Sequence, residues 1–157
     1  NLERFVRIAI NKPTGVIYQL DLLGLTSLSA PNSHIQDLTG LDSCTDLTSL
    51  TLYGNNITSV APLAGLTNLR TLSLEYNQIT DMTPLAGLAQ LESLYLDGNA
   101  ISTLPGLSGL SSLADLVLDG NPLSDFANLG TLPAVVQLFL SGTGMTNADL
   151  AALINVT

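Results

Sequence analysis

Apolar residues recur along this chain with a period of 22. Rows begun at Leu25, Leu47, Leu69, Leu91, Leu113 and Val135 align without a gap. Within a row the apolar positions are 1, 4, 6, 11, 14, 17 and 20; in row three they are Leu69, Leu72, Leu74, Ile79, Met82, Leu85 and Leu88. The 4/6 spacing has period two and predicts a strand with one face buried. The later spacing of three suits a tight helical turn of the 3₁₀ kind. Each row therefore predicts a strand, a corner and a short helical return. No single row can bury its apolar side alone, so the rows stack around one continuous core. Leu supplies 34 of the 157 residues, which is the material such a core needs.

Polar columns run through the same rows. Position 9 carries Asn55, Asn77, Asn99 and Asn121. A strand-to-corner transition buries backbone N–H and C=O groups that need partners, and an Asn amide both donates and accepts. The four are expected to form a structural ladder, with looser corners where Ser33 and Thr143 replace Asn in the terminal rows. Pro62 and Pro84 share position 16, where they stiffen the return and no ladder N–H is required. Cys44 stands in a column otherwise held by Leu66, Leu88, Leu110 and Leu132 and is expected in the core, while His34 falls on a turn.

The pattern LxxLxLxxN followed by xIxDxxPLxGL, clearest in rows two and three, resembles the leucine-rich repeat. Its 22-residue spacing is similar to that of the internalin-like class of bacterial surface proteins. The resemblance implies an α/β solenoid: a right-handed horseshoe segment with a parallel concave sheet, a short 3₁₀ or helical convex side and a helical N-terminal cap. It divides one domain into a cap, residues 1–24, and six repeats, residues 25–157, the last divergent. Residues 2–10 place Leu2, Phe5, Val6 and Ala9 on one helical face, with Asn1 as N-cap and Glu3 in the first turn. KPTG breaks that helix, and residues 16–24 predict a second short helical piece. Arg4, Arg7 and Lys12 on the cap serve solvation, or an anion site. At the other end the segment MTNADLAALI offers Asn147 as a candidate N-cap and Asp149 in the first turn of a closing helix. Thr157 falls where a seventh row would start, so three readings stay open: the helix closes the core, the protein continues, or the edge docks on something.

Side chains at row positions 3, 5 and 7 point away from the core, because 4 and 6 point into it. Down these columns Glu75, Asp97 and Asp119 form a carboxylate row, with Asp115 and Gln137 at position 3. Tyr53, Tyr95, Val117 and Phe139 are large side chains on a surface otherwise of Ser and Thr, and Tyr76 at position 8 flanks them. Carboxylates on strands about 4.8 Å apart repel unless water or a cation relieves them. Exposed aromatic rings are frequent interface anchors. These ten residues are the candidate ligand-binding set, with the carboxylates as a site for a cationic partner; the alternatives are a solvated acidic rim or a bound Ca²⁺ at the carboxylates, and cross-strand aromatic packing with no ligand at the large side chains.

Composition narrows the function further. Thirteen acidic residues against four Lys and Arg give a formal charge of −9, which disfavours nucleic acid and anionic membranes. With 46% hydrophobic residues the chain is not a disordered acidic tail, and no apolar run reaches the length of a membrane span. One Cys and one His supply neither a disulfide framework nor a nucleophile–base pair, so no metal, cofactor or catalytic residue is expected. The sequence begins at Asn1 with neither Met nor an apolar leader, as for a secreted chain whose signal peptide has been removed or lies outside this sequence. Asn56 and Asn155 head glycosylation sequons that matter only in a glycosylating host. The resemblance then implies an extracellular or cell-surface recognition module, of the kind used in adhesion, that binds a protein or glycan on its concave face. The alternatives are a surface-layer, fibre or matrix subunit that self-assembles end to end through its C-terminal edge, and an intracellular scaffold, which the secreted-like composition disfavours.

Overall fold

The structure, a computed structural model, describes residues 1–154, and side chains as far as residue 151. The Asn155 sequon and the Thr157 position lie outside the described residues. Six three-residue strands, β1 (Ser27–Ser29), β2 (Ser49–Thr51), β3 (Thr71–Ser73), β4 (Ser93–Tyr95), β5 (Asp115–Val117) and β6 (Gln137–Phe139), form one parallel sheet in chain order. Each pairing is offset by one row, as in Ser49↔Thr71 and Thr71↔Ser93. The ladder runs on past the strands: the amides of Gly54, Tyr76 and Gly98 donate to the carbonyls of Glu75, Asp97 and Asp119 at 2.8, 2.9 and 2.8 Å. Position 7 is thereby held in register across the rows.

Position 4 shows how the stacking works. Leu28, Leu50, Leu72, Leu94 and Leu116 lie one above the next, and all are buried. Position 17 repeats this with Leu41, Leu63, Leu85, Leu107 and Leu129. Cys44 is buried within its Leu column. Burial, aided by Asp42, pushes its thiol pKa up. A thiol of that kind is a packing element rather than a nucleophile.

The Asn column fills the corner. Asn77 accepts from the Ile57 amide at 3.0 Å and donates to the carbonyls of Leu52 and Leu74 at 3.1 and 3.0 Å. Asn99 and Asn121 repeat the set one and two rows on. Asn55 reaches further, taking both the Ser33 and Ile35 amides. The Leu52, Leu74 and Leu96 carbonyls each accept from two successive Asn side chains. Thr143 reaches only its own Leu140 carbonyl, so the Leu123 amide turns to Asn121 O instead.

The returns are 3₁₀ turns at Leu41–Ser43, Ala61–Leu63, Thr83–Leu85 and Ala127–Thr131. Row four has none. Its Pro stands one position early, at Pro105, and Gly106 takes the place of Pro62 and Pro84. The Leu107 amide, whose counterparts Leu63 and Leu85 bond to Val60 and Met82 carbonyls, donates to Thr131 Oγ1 at 3.1 Å. Asn128 Nδ2 takes the vacated Leu104 carbonyl at 2.7 Å. Row five thus supplies the partners that a missing turn leaves over.

Helix α1 (Leu2–Ala9) covers the first row through buried Val6 and half-buried Leu2 and Phe5, whereas Ala9 is exposed. Asn1 stands at the N-cap but does not cap with its side chain; the amide crosses to the Ser33 carbonyl at 2.9 Å. The second helical piece is a single turn, α2 (Gln19–Leu22). Arg7 pairs with Glu3 and donates to the Lys12 and Gly15 carbonyls, and Lys12 pairs with Asp21 at 2.6 Å. Two of the three cap cations are therefore spent on folding the cap. At the other end, α3 (Asn147–Ile154) begins one residue earlier than an Asn147 N-cap requires. Thr146 caps it, its hydroxyl accepting from Asp149 N while the Asp149 carboxylate accepts from Thr146 N.

Two outcomes follow. Asn77→Ala strips partners from a buried amide and thins the supply to two carbonyls, so denaturant unfolding is expected to lose about 3 kcal/mol; Thr143→Val, which loses one local bond, about 1 kcal/mol. The Lys12 ammonium and then the Tyr18 amide hold the Asp21 carboxyl below the usual carboxylate range. A lowered folded pKa contributes stability above the ordinary carboxylate pKa that disappears as pH falls through the folded value. Hydrogen-exchange protection in residues 2–24, measured relative to the intrinsic rate, should therefore fall as pH drops below about 4, and Asp21→Asn should lower that protection at pH 7 and flatten its pH dependence.

Candidate functional site

The sheet face is built from the outward residues of the six strands and the position-7 residues beyond them. Asp115 and Gln137 open β5 and β6. Tyr95, Val117 and Phe139 close β4, β5 and β6, paired in register as Tyr95↔Val117 and Val117↔Phe139. Tyr53, Glu75, Asp97 and Asp119 follow two residues past their strands. The carboxylates thus occupy neighbouring rows and meet no cation among these columns.

The large side chains are less uniformly exposed than the column pattern predicts. Tyr53 is 38% exposed and Phe139 47%, but Tyr95 and Val117 are half-buried. Each has a neighbour at the same register position on both sides: Ser73 and Val117 flank Tyr95, and Tyr95 and Phe139 flank Val117. Ser73, also in this column, is buried next to Tyr95, and its hydroxyl donates to the Glu75 carboxylate. Asp119 accepts the Ser141 amide at 2.5 Å and Asp115 the Ser93 hydroxyl at 3.2 Å. The Asp97 carboxylate has no hydrogen bond among the described residues.

Tyr76 is the most exposed of the large side chains in the set, at 66%, and its backbone is left-handed, φ 54°. Row position 8 imposes this: Gly54, Gly98, Gly120 and Gly142 fill it with φ 65–68°, and Asn32 in row one with φ 50°. Gly and Asn enter that region cheaply; a Tyr does so at a cost. The Tyr76 ring lies so close to Gly98 that a Cβ there would stand 2.6 Å from Cδ1. Sequence reasoning put Tyr76 beside the patch without seeing this strain; the signal available was a single Tyr in a column of Gly.

Elsewhere the structure brings no competing chemistry together. His34 is exposed, Cys44 is buried, and no group of three or more His, Cys, Asp or Glu among the described residues is placed to hold a metal. A groove of about 780 Å³ lies between the cap and row one, floored by Leu2, Val6, Ile35 and Leu41. No helix among the described residues is long and apolar enough to cross a membrane.

The model of the leucine-rich repeat, two copies, matches residues 47–87. An internalin of Listeria monocytogenes, InlF, superposes with a TM-score of 0.88 at 28% identity, over 97% of this chain and 46% of its own. The functional domain of InlJ from the same organism gives 0.81 at 30% identity, over all of this chain and 34% of its own. The chain is an internalin-like leucine-rich-repeat protein. It spans less than half the length of either relative. Internalin C2 of Listeria monocytogenes gives 0.54 at 27% identity, over 89% of this chain and 92% of its own. No curated protein matches the chain in sequence. The internalin-like sheet and returns described above are what these relatives share with it.

Tyr76 separates site from scaffold. Tyr76→Gly is expected to leave unfolding free energy within about 0.5 kcal/mol, relief of the left-handed strain offsetting the greater chain entropy of Gly. Tyr76→Val, β-branched at the same φ, should lose about 1–2 kcal/mol. Thermal and denaturant unfolding of the pair checks this.

Proposed function

We propose that this chain is an extracellular or cell-surface recognition module that holds a protein or glycan on its concave sheet. The observation that carries the reading is the face of rows two to six, where Tyr53, Tyr76, Tyr95, Val117 and Phe139 stand among Glu75, Asp97, Asp115, Asp119 and Gln137. Aromatic rings supply contact area at low entropy cost, and carboxylates select and orient. The fold requires neither: row one does without both at positions 3, 5 and 7, where it has Ser27, Ser29 and Pro31. The internalin-like character supports a non-enzymatic protein-binding role and a bacterial surface location.

The test is a screen of extracellular protein domains and glycans against the intact chain and Tyr95→Ala/Phe139→Ala. A ligand retained by the chain should bind the double variant at least tenfold more weakly, while Asn68→Ala/Ser111→Ala on the convex side binds normally. A ligand that ignores the double variant overturns the concave assignment.

One observation favours a second reading, end-to-end self-assembly. All three β6 residues are exposed; Leu138 is 37% exposed where Leu116 in the same column is fully buried, and Val136 is 80% exposed. No charged side chain occurs between Asp125 and Asp149 to guard this edge. In light scattering over a wide concentration range, the recognition reading expects a constant monomer mass. Assembly expects mass rising with concentration, and Leu138→Lys abolishing the rise.

A further inference from the structure

We infer that the occupant of the concave face is a basic protein surface, with an arginine or lysine seated beside Glu75 and Asp97 and against the Tyr76 ring. This rests on the recognition reading and narrows it. The argument is charge complementarity on an unpartnered sheet face. The repeats, residues 25–157, carry eleven acidic residues and a single Lys or Arg, Arg70, which is paired to Glu92. The other three cations lie at residues 4, 7 and 12 in the cap, and Arg7 and Lys12 are tied to Glu3 and Asp21. Among the described residues no ion pair reaches Glu75, Asp97, Asp115 or Asp119, and the parallel register keeps three of them on consecutive rows.

Like charges so placed repel, and an incoming cation relieves them. Among the described residues the Asp97 carboxylate has no partner to displace. Around it the register sets Tyr53 one row beyond Glu75, and the Gly98 contact fixes the Tyr76 ring over row four. A planar guanidinium suits such a place because it bonds carboxylates in a bidentate way and stacks on aromatic faces. A glycan fits less well. Neutral sugars leave the carboxylate row uncompensated, and acidic sugars meet it as like charge.

The experiment is an NMR titration of the ¹⁵N-labelled intact chain at low salt with three probes. They are an alternating Arg-Gly dodecapeptide, the same peptide with Ser for Arg, and chitohexaose. The Arg peptide is expected to shift resonances of Tyr53, Glu75, Tyr76, Tyr95 and Asp97, with affinity falling steeply as salt rises. Glu75→Gln/Asp97→Asn should weaken it at least tenfold and Tyr76→Gly roughly threefold, whereas Asp42→Asn/Asp125→Asn, with the same change in net charge, should weaken it less than twofold. If chitohexaose shifts this face and the Arg peptide does not, the recognition reading stands and this inference fails. If the Arg peptide fails to bind, or both charge pairs weaken it equally, the inference fails. Shifts confined to the convex turns or the cap overturn both.

Discussion

Everything in this fold depends on the corner that follows each strand. There the chain leaves the sheet and turns towards the convex side, and its amides and carbonyls turn into an apolar interior with no water. One Asn amide per row takes up those groups, and it does so across rows as well as within them. Because the carbonyls of Leu52, Leu74 and Leu96 each serve two Asn side chains, the corners form a continuous hydrogen-bonded column rather than separate turns. The Leu columns supply the bulk of the stabilisation. The Asn column fixes the offset between rows, and hence which residues share the outer face.

The same corner imposes a second condition, a left-handed residue at position 8, just before the Asn or, in row six, Thr143. Gly meets it in four rows at the price of an empty surface. Tyr76 meets it under strain and leaves a large ring outside. A local rule broken without benefit to packing marks a position where something other than stability is at stake. Row four's missing 3₁₀ turn is the contrasting case. There the departure, at Pro105 and Gly106, is repaired internally by Asn128 and Thr131, so it carries no implication beyond the fold.

The architecture was legible because each row puts the same position into the same environment. Six in-phase repeats of an inward Leu at position 4 say more than any one Leu. The strand positions, the single sheet and the convex turns at Pro62 and Pro84 all come from that column logic. It gives out where a contact crosses columns or rows. Nothing in the period indicates that Asn1 serves the Ser33 carbonyl, that Thr146 rather than Asn147 caps the last helix, or that Thr131 serves the Leu107 amide. The candidate site was legible only as a set of outward positions. How far Tyr95 and Val117 cover one another depends on side-chain packing between rows, and the φ of Tyr76 depends on the corner geometry.

A repeat fold separates what a residue does for stability from what it presents outside. Inward columns are fixed by packing, so change there is costly; outward columns on the sheet face tolerate Ser, Thr, Asp, Tyr or Val on the same backbone. A functional surface can therefore accumulate on rows two to six without disturbing the core, and its residues carry no periodic signature. What such a surface cannot escape is electrostatics and backbone geometry. Carboxylates in register on consecutive rows repel, and an aromatic at the left-handed corner is strained. In this chain both costs fall on adjacent residues: Glu75 and Asp97 in the carboxylate row, and Tyr76 between them, its ring against Gly98. Random surface variation would scatter such costs over the face. Their coincidence at one place on an otherwise permissive face is the physical reason to look for a partner there.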